Sequence, residues 1–226
     1  MTETDYPLLT TASATDIAIL GDGDMPRHRI AQALLHNAGH LCCCDGAGMR
    51  LIEAGTMPDA IIGDGDSLPA AFKAAHKDII HIVREQDDND LTKAMRFALA
   101  HYAAPTGKPT VALLGVTGKR EDHTIGNISL VNYYAQTFNV NPLLATDHGW
   151  FVATSGRQTF ESFRDQQVSI FNLNCTRLQS EGLRWNAYAY HQLWQGTLNA
   201  SLGTSFTLDG DGAYMVFRTY DPKKEA

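Results

Sequence analysis

Residues 79–102, IIHIVREQDDNDLTKAMRFALAHY, carry a short apolar run, an acidic turn and a one-sided helix in succession. Ile79 to Val83 reads as a buried strand. After Asp87-Asp-Asn89, the residues Leu91, Ala94, Met95, Ala98, Leu99 and Tyr102 recur at i, i+3, i+4 and i+7, the period of a helix with one apolar face. Asp88 and Asn89 suit its cap. The same unit repeats on both sides. Apolar runs at Ile17–Leu20, Leu41–Cys44, Ala60–Ile62 and Thr110–Leu114 predict further strands. A helix with Ile30, Ala33, Leu34 and Ala38 on one face is expected to start near Pro26, and another to run from about Asp122 to Gln136. Strands alternating with helices specify a parallel α/β sheet.

The chain changes character near Asn139 to Pro142. Of its 20 aromatic residues, 16 lie at or beyond Tyr133, and the net charge is −6 over residues 1–139 but −1 over 140–226. The second part offers β-rich pieces at Trp150–Ala153, Val168–Phe171 and Ala213–Arg218, with Asp209-Gly-Asp-Gly212 read as a turn between strands. The expected fold is therefore α/β. A parallel-sheet domain, residues 1–139, precedes an antiparallel β-sandwich domain, residues 140–226.

Composition limits the function. The whole chain of 226 residues has a net charge of −7, which argues against a bulk nucleic-acid binder. No apolar run approaches the ~18–20 residues of a membrane span. Met1 to Asp16 has acids and no Lys or Arg, unlike a secretory signal, so a cytoplasmic protein is expected. Cys42, Cys43 and Cys44 are consecutive and Cys175 stands alone. Neighbours in a strand face opposite ways, so these read as buried apolar residues of a reduced compartment.

The acids gather where predicted strands end: Asp45 before Gly46, Asp64 and Asp66 in Gly63-Asp-Gly-Asp-Ser67, Asp87 and Asp90 after the fourth strand, and Asp122 after the fifth. Ligands of open α/β sheets bind outside the carboxyl ends of the strands. Clustered carboxylates there need cations, and hard oxygen ligands favour Mg²⁺ held together with a substrate phosphate. Lys119, Arg120 and His123 add cationic donors at a helix start, where an anion is stabilised. Carboxylates facing Arg across a crevice is the layout of phosphoryl transfer. Two familiar phosphate motifs are missing. Gly115-Val-Thr-Gly-Lys119 has the wrong spacing for a P-loop, and Gly21-Asp-Gly23 and Gly63-Asp-Gly65 lack the third glycine of the dinucleotide fingerprint.

Taken in order, these stretches resemble the thiamine pyrophosphokinase family. Cys44-Asp-Gly-Ala-Gly-Met-Arg-Leu51 is similar to its A-D-G-G-A-N-R-L, and Pro58 to Ser67 to its P-D-x-I-I-G-D-F-D-S. Gln86 to Ala94 is similar to K/Q-D-x-T-D-x-x-K-A, and Gly115 to Asn127 to G-A-T-G-G-R-x-D-H-T-L-A-N. Weaker matches are Glu181 to Trp185, with G-L-K-W, and Gly203 to Thr207, with S-T-S-N-T. The resemblance implies transfer of pyrophosphate from ATP to the hydroxyl of thiamine, Mg²⁺ as cofactor, and a homodimer with thiamine bound between subunits. By motif position, Asp45, Asp64, Asp66, Asp87 and Asp90 would hold Mg²⁺ and the triphosphate. Gly46, Ser67, Gln86, Asn89, Lys93, Arg120, Asp122 and His123 would contact ATP, with Arg120 also neutralising charge in the reaction. Ser205 and Phe206 would sit at thiamine.

Three departures from the pattern stand out. Gly65 replaces a Phe, removing bulk and loosening the loop; Asn89 replaces a Thr; Phe206 replaces an Asn. The tail also lacks a Trp that some members carry. The alternatives are a related pyrophosphokinase or phosphohydrolase acting on another alcohol such as a pterin, or a non-catalytic thiamine or nucleotide binder.

Overall fold

A computed structural model describes residues 5–104 and 106–222. The start of the Met1–Asp16 segment and the end of the tail lie outside the described residues. Eleven strands form one hydrogen-bonded sheet. In chain order, the first part is β1 (Ile17–Leu20), α1 (Arg29–His36), β2 (His40–Cys44), α2 (Asp45–Glu53), β3 (Ala60–Gly63), α3 (Ala70–Ala75), β4 (Ile80–Ile82), α4 (Asp90–Tyr102), β5 (Thr110–Leu114) and α5 (Glu121–Thr137). β6 (Asn141–Ala145), β7 (Gly149–Glu161), β8 (Gln167–Asn172), β9 (Leu178–Glu181), β10 (Asn199–Ala200) and β11 (Ser205–Thr219) follow.

β1 to β6 are parallel, in the spatial order β6-β5-β1-β2-β3-β4. The alternation of side chains across each strand feeds two cores. Ala18, Leu20 and Cys43 face α1 and α2; Ile17, Ile19, Cys42 and Cys44 face α4 and α5. The consecutive cysteines are free, buried and split between these two faces. α4 turns Leu91, Ala94, Met95 and Ala98 inward, as their spacing predicts. The first helix begins later than expected, with His28 as its cap and Pro26 outside it.

β6 pairs parallel with β5 on one side and antiparallel with β7 on the other. Hydrogen bonding therefore runs uninterrupted across Asn139. The later strands are antiparallel, built on a long pairing of β7 with β11. The stretch Asp209–Gly212 does not separate two strands. It is a bulge inside β11, where the register shifts between Gly210 and Ala213. Its extra residues are tied down because the Asp211 carboxylate accepts from Thr176 and Arg177. β9 pairs with β11 before the bulge and β8 pairs after it. The paired strands fold back across this bulge, and the Arg218 guanidinium reaches the carbonyl of Glu161.

Candidate active site

β1 sits between β2 and β5, and the chain order reverses there, which is where an open α/β sheet opens a ligand crevice. A cleft of about 430 Å³ lies at that point. Its walls include Gly21 to Gly23 beyond β1, Cys44 at the end of β2, Asn89 and Asp90 at the start of α4, and Val116, Thr117, Lys119 and Arg120 before α5. The loops after β1 and β5 are joined. Gly21 donates to Leu114 at 2.8 Å and Gly23 to Gly115 at 2.6 Å. A Cβ on Gly23 would collide with the carbonyls of Gly115 and Thr117, so only glycine allows this approach.

Asp45 is the first residue of α2 and is 7% exposed. Its Oδ2 accepts from the Gly65 N–H at 2.9 Å, while Oδ1 is buried with no partner. Burial, then the nearby Asp90 and Asp64, pushes its pKa above the ordinary carboxylate value. Asp64 lies lower than usual because it accepts from the Asp66 N–H at 3.0 Å. Three acids from three strand ends, Asp45, Asp64 and Asp90, thus share one electrostatic environment. Gly65 does not loosen its loop. Its φ of 78° suits glycine, its N–H is fixed by Asp45, and its carbonyl accepts from Lys73 Nζ at 3.1 Å.

The remaining predicted residues divide. Asn89 caps α4 by accepting from Thr92 at 2.9 Å, and the buried Lys93 ammonium donates to Asp90 at 3.4 Å. Arg120 and Asp122 form a two-pronged pair, at 3.1 and 2.6 Å. Arg120 and His123 line the cleft. Gly46 packs against Asp22. Asp66, Ser67, Gln86 and Asp87 are exposed; the Asp87 N–H is held by Glu85 at 2.8 Å, and of the five predicted acids only Asp90 lines the cleft, Asp45, Asp64, Asp66 and Asp87 lying outside its wall. Among the described residues no three Asp, Glu, His or Cys side chains close on one point as a metal shell. Five like charges without a cation have no reason to converge.

Sequence reasoning missed Asp22. Its carboxylate bridges Arg50 at 2.7 Å and Lys119 at 3.1 Å on the cleft wall. Its signal in the sequence is an acid directly after a strand, within a Gly21-Asp-Gly23 stretch that also has the first two glycines of a dinucleotide fingerprint.

The acceptor-site pair also divides. Ser205 is exposed at the start of β11. Phe206 is buried and stacked on Phe160, with ring centroids 4.9 Å apart. Neither lines the cleft.

A sequence model described as the thiamin pyrophosphokinase catalytic domain matches residues 31–141, and one described as the thiamin pyrophosphokinase substrate-binding domain matches residues 149–217. The chain belongs to the thiamin pyrophosphokinase family. Thiamine pyrophosphorylation is the activity that goes with both matched parts. Solved thiamin pyrophosphokinases share the fold. The Candida albicans structure has a TM-score of 0.77 at 15% identity, over 98% of this chain and 95% of that one. The Bacillus subtilis structure has a TM-score of 0.73 at 19% identity, over 92% and 100%. The yeast structure has 0.75 at 14%, over 96% and 92%. No curated protein sequence matches the chain.

Proposed function

We propose that the cleft between the β1 and β5 loops binds ATP with Mg²⁺, and that the β1–α5 part of the molecule, residues 1–139, is the catalytic unit. Residues 140–226 supply the thiamine-binding unit of a cytoplasmic homodimer. The observation that carries the reading is the unpartnered, buried Oδ1 of Asp45, which follows Cys44 of the cleft wall and is influenced by Asp64 and by Asp90, the one of these three acids that lines the cleft. An oxygen that lacks a donor and sits among carboxylates fits a hard cation, and Mg²⁺ needs only one or two protein carboxylates when phosphate completes its shell. Mg²⁺, when bound, neutralises triphosphate charge as it builds up on the leaving AMP.

The chain's own groups do the rest. Asp45, Asp64 and Asp90 supply the cation's oxygens. Asp66 holds Asp64 through its backbone, and Ser67, Gln86 and Asp87 are exposed on the same loops as Asp64 and Asp90, free to reach a bound triphosphate. Arg120, with Lys119 and Arg50, faces the phosphates, and these cations exchange Asp122 and Asp22 for phosphate oxygens. The thiamine hydroxyl oxygen bonds to the β-phosphorus as the bridge from β- to α-phosphate breaks, and AMP leaves. Asp90, which lines the cleft, is better placed than Asp87 to take the hydroxyl proton.

Ser205 offers its exposed hydroxyl to the pyrimidine of thiamine, with Phe206 supporting it from behind. Ser205 and the cleft are separate surfaces of one chain, so a second copy has to complete the acceptor site. Trp185, Leu193, Trp194, Leu198 and Leu202 are all more than half exposed between β9 and β11 and would supply the apolar contact.

The test offers thiamine and a hydroxymethyl pterin as competing acceptors with ATP and Mg²⁺. Diphosphorylated thiamine with AMP is expected; a diphosphorylated pterin, or ATP hydrolysis without acceptor, would overturn the reading.

A further inference from the structure

Residues 5–8 form a strap that the cleft does not require. Tyr6 makes a parallel bridge with Phe160. Its N–H donates to Thr159 at 3.1 Å, and its carbonyl accepts from Glu161 N at 3.0 Å. Asp5 accepts from Thr159 N at 2.8 Å, and the Leu8 N–H donates to the Glu161 carboxylate at 2.8 Å.

The clamp on this strap is Arg218, which is 1% exposed. Its Nη1 donates to the carbonyls of Tyr6 at 3.0 Å and Glu161 at 2.8 Å, and its Nη2 to Pro7 at 3.3 Å. The guanidinium lies over Trp150 and Phe160, at 4.6 and 5.3 Å from the ring centroids. Among the described residues it forms no salt bridge with a carboxylate, and burial draws its pKa down to about 9. A buried cation matched only by main-chain carbonyls is an expensive way to fill space. What it secures is position, because three donors in a rigid fork fix three carbonyls relative to one another.

The strap leads to the acceptor end. The Tyr6 and Phe160 rings stack at 4.8 Å and 15°, and Phe160 and Phe206 stack at 4.9 Å and 9°. The column ends one residue from Ser205, and Ser205 itself pairs with Glu161, the residue whose carbonyl Arg218 holds.

We propose that Tyr6 and Arg218 are positioning residues for the acceptor site: the strap, clamped by Arg218, fixes Glu161 and the ring column, and through them the place of the Ser205 hydroxyl. This rests on Ser205 being at thiamine. The geometry gives Tyr6 an effect on acceptor binding and none on the ATP cleft.

The test measures KM for thiamine and for ATP, with kcat, in Tyr6→Ala, Tyr6→Phe, Arg218→Met and Ser205→Ala. Tyr6→Ala is expected to raise the thiamine KM several-fold, with the ATP KM and the kcat at saturating thiamine near the parental values. Tyr6→Phe keeps the ring and the backbone bonds and should restore the parental thiamine KM. Arg218→Met should repeat the Tyr6→Ala pattern; if it does not fold, the Tyr6 pair decides. If Ser205→Ala raises the thiamine KM and Tyr6→Ala does not, or if Tyr6→Ala shifts both substrates equally, the strap is only structural and the acceptor reading stands without it. If Ser205→Ala leaves the thiamine KM unchanged, the acceptor assignment fails and this inference falls with it.

Discussion

In the proposed site, Asp45 sets stability against function. Its carboxyl pKa is raised, first by burial. An acid whose folded-state pKa is raised favours the folded state in the protonated form. That stabilisation is present at low pH and is lost as pH rises from the ordinary carboxylate value through the raised one. At neutral pH without metal, the Asp45 charge is therefore a liability. Asp45→Asn keeps an acceptor for Gly65 and removes the charge. We expect metal-free Tm at pH 7 to rise by about 2–4 °C for each kcal/mol relieved, while turnover falls at least about a hundredfold. Calorimetry beside an activity assay checks both. The activity of the parent should also fall as pH drops through the raised Asp45 value, because the protonated acid cannot serve a cation. At the same scale, Ser205→Ala should raise the thiamine KM several-fold, about 1 kcal/mol for one hydrogen bond, with Tm unmoved. Its neighbour behaves oppositely. Phe206→Ala removes a buried stacked ring and should cost about 3–5 kcal/mol of stability, read by denaturant titration. Which of the two faced the core was not legible from sequence, since alternation in a strand leaves its phase open until a partner strand sets it.

At the scale of elements, the parallel half was legible because each strand and helix carries its own period. Leu91 to Tyr102 could hardly be read otherwise, and the strand-end rule then placed Asp45, Asp64 and Asp90 together. The antiparallel half was less so. Asp209-Gly-Asp-Gly212 has the composition of a turn, yet it is a bulge held by Thr176 and Arg177, and only that distant contact distinguishes the two. Asp66 and Asp87 share the motifs of the clustered acids but face solvent, because the local turn fixes which acid points inward. The strap was invisible, since one Tyr in an irregular segment has no period. The joined loops after β1 and β5 give a prediction here. Gly23→Ala places a methyl against two backbone carbonyls, which cannot move without opening the cleft. It should cost about 1–3 kcal/mol, as overpacking does, and should raise the ATP KM without changing the thiamine KM.

Across the whole molecule, one sheet joins the cleft proposed for ATP to the Ser205 surface proposed for the acceptor, and Ser205 does not line that cleft. In the proposed homodimer, the exposed apolar residues between β9 and β11 would form the contact with the second copy. Light scattering at a concentration where the enzyme is active should give about twice the 24.8 kDa of the chain, and Trp194→Glu should lower the mass and the activity together. The central claim, however, concerns the bond that breaks. Phosphorus NMR of the protein with ATP, Mg²⁺ and thiamine should show AMP and thiamine diphosphate growing in equal amounts, with no ADP, and Asp64→Asn should slow both at least about a hundredfold. Formation of ADP with thiamine monophosphate, or unchanged turnover in Asp64→Asn at saturating Mg²⁺, would contradict the account.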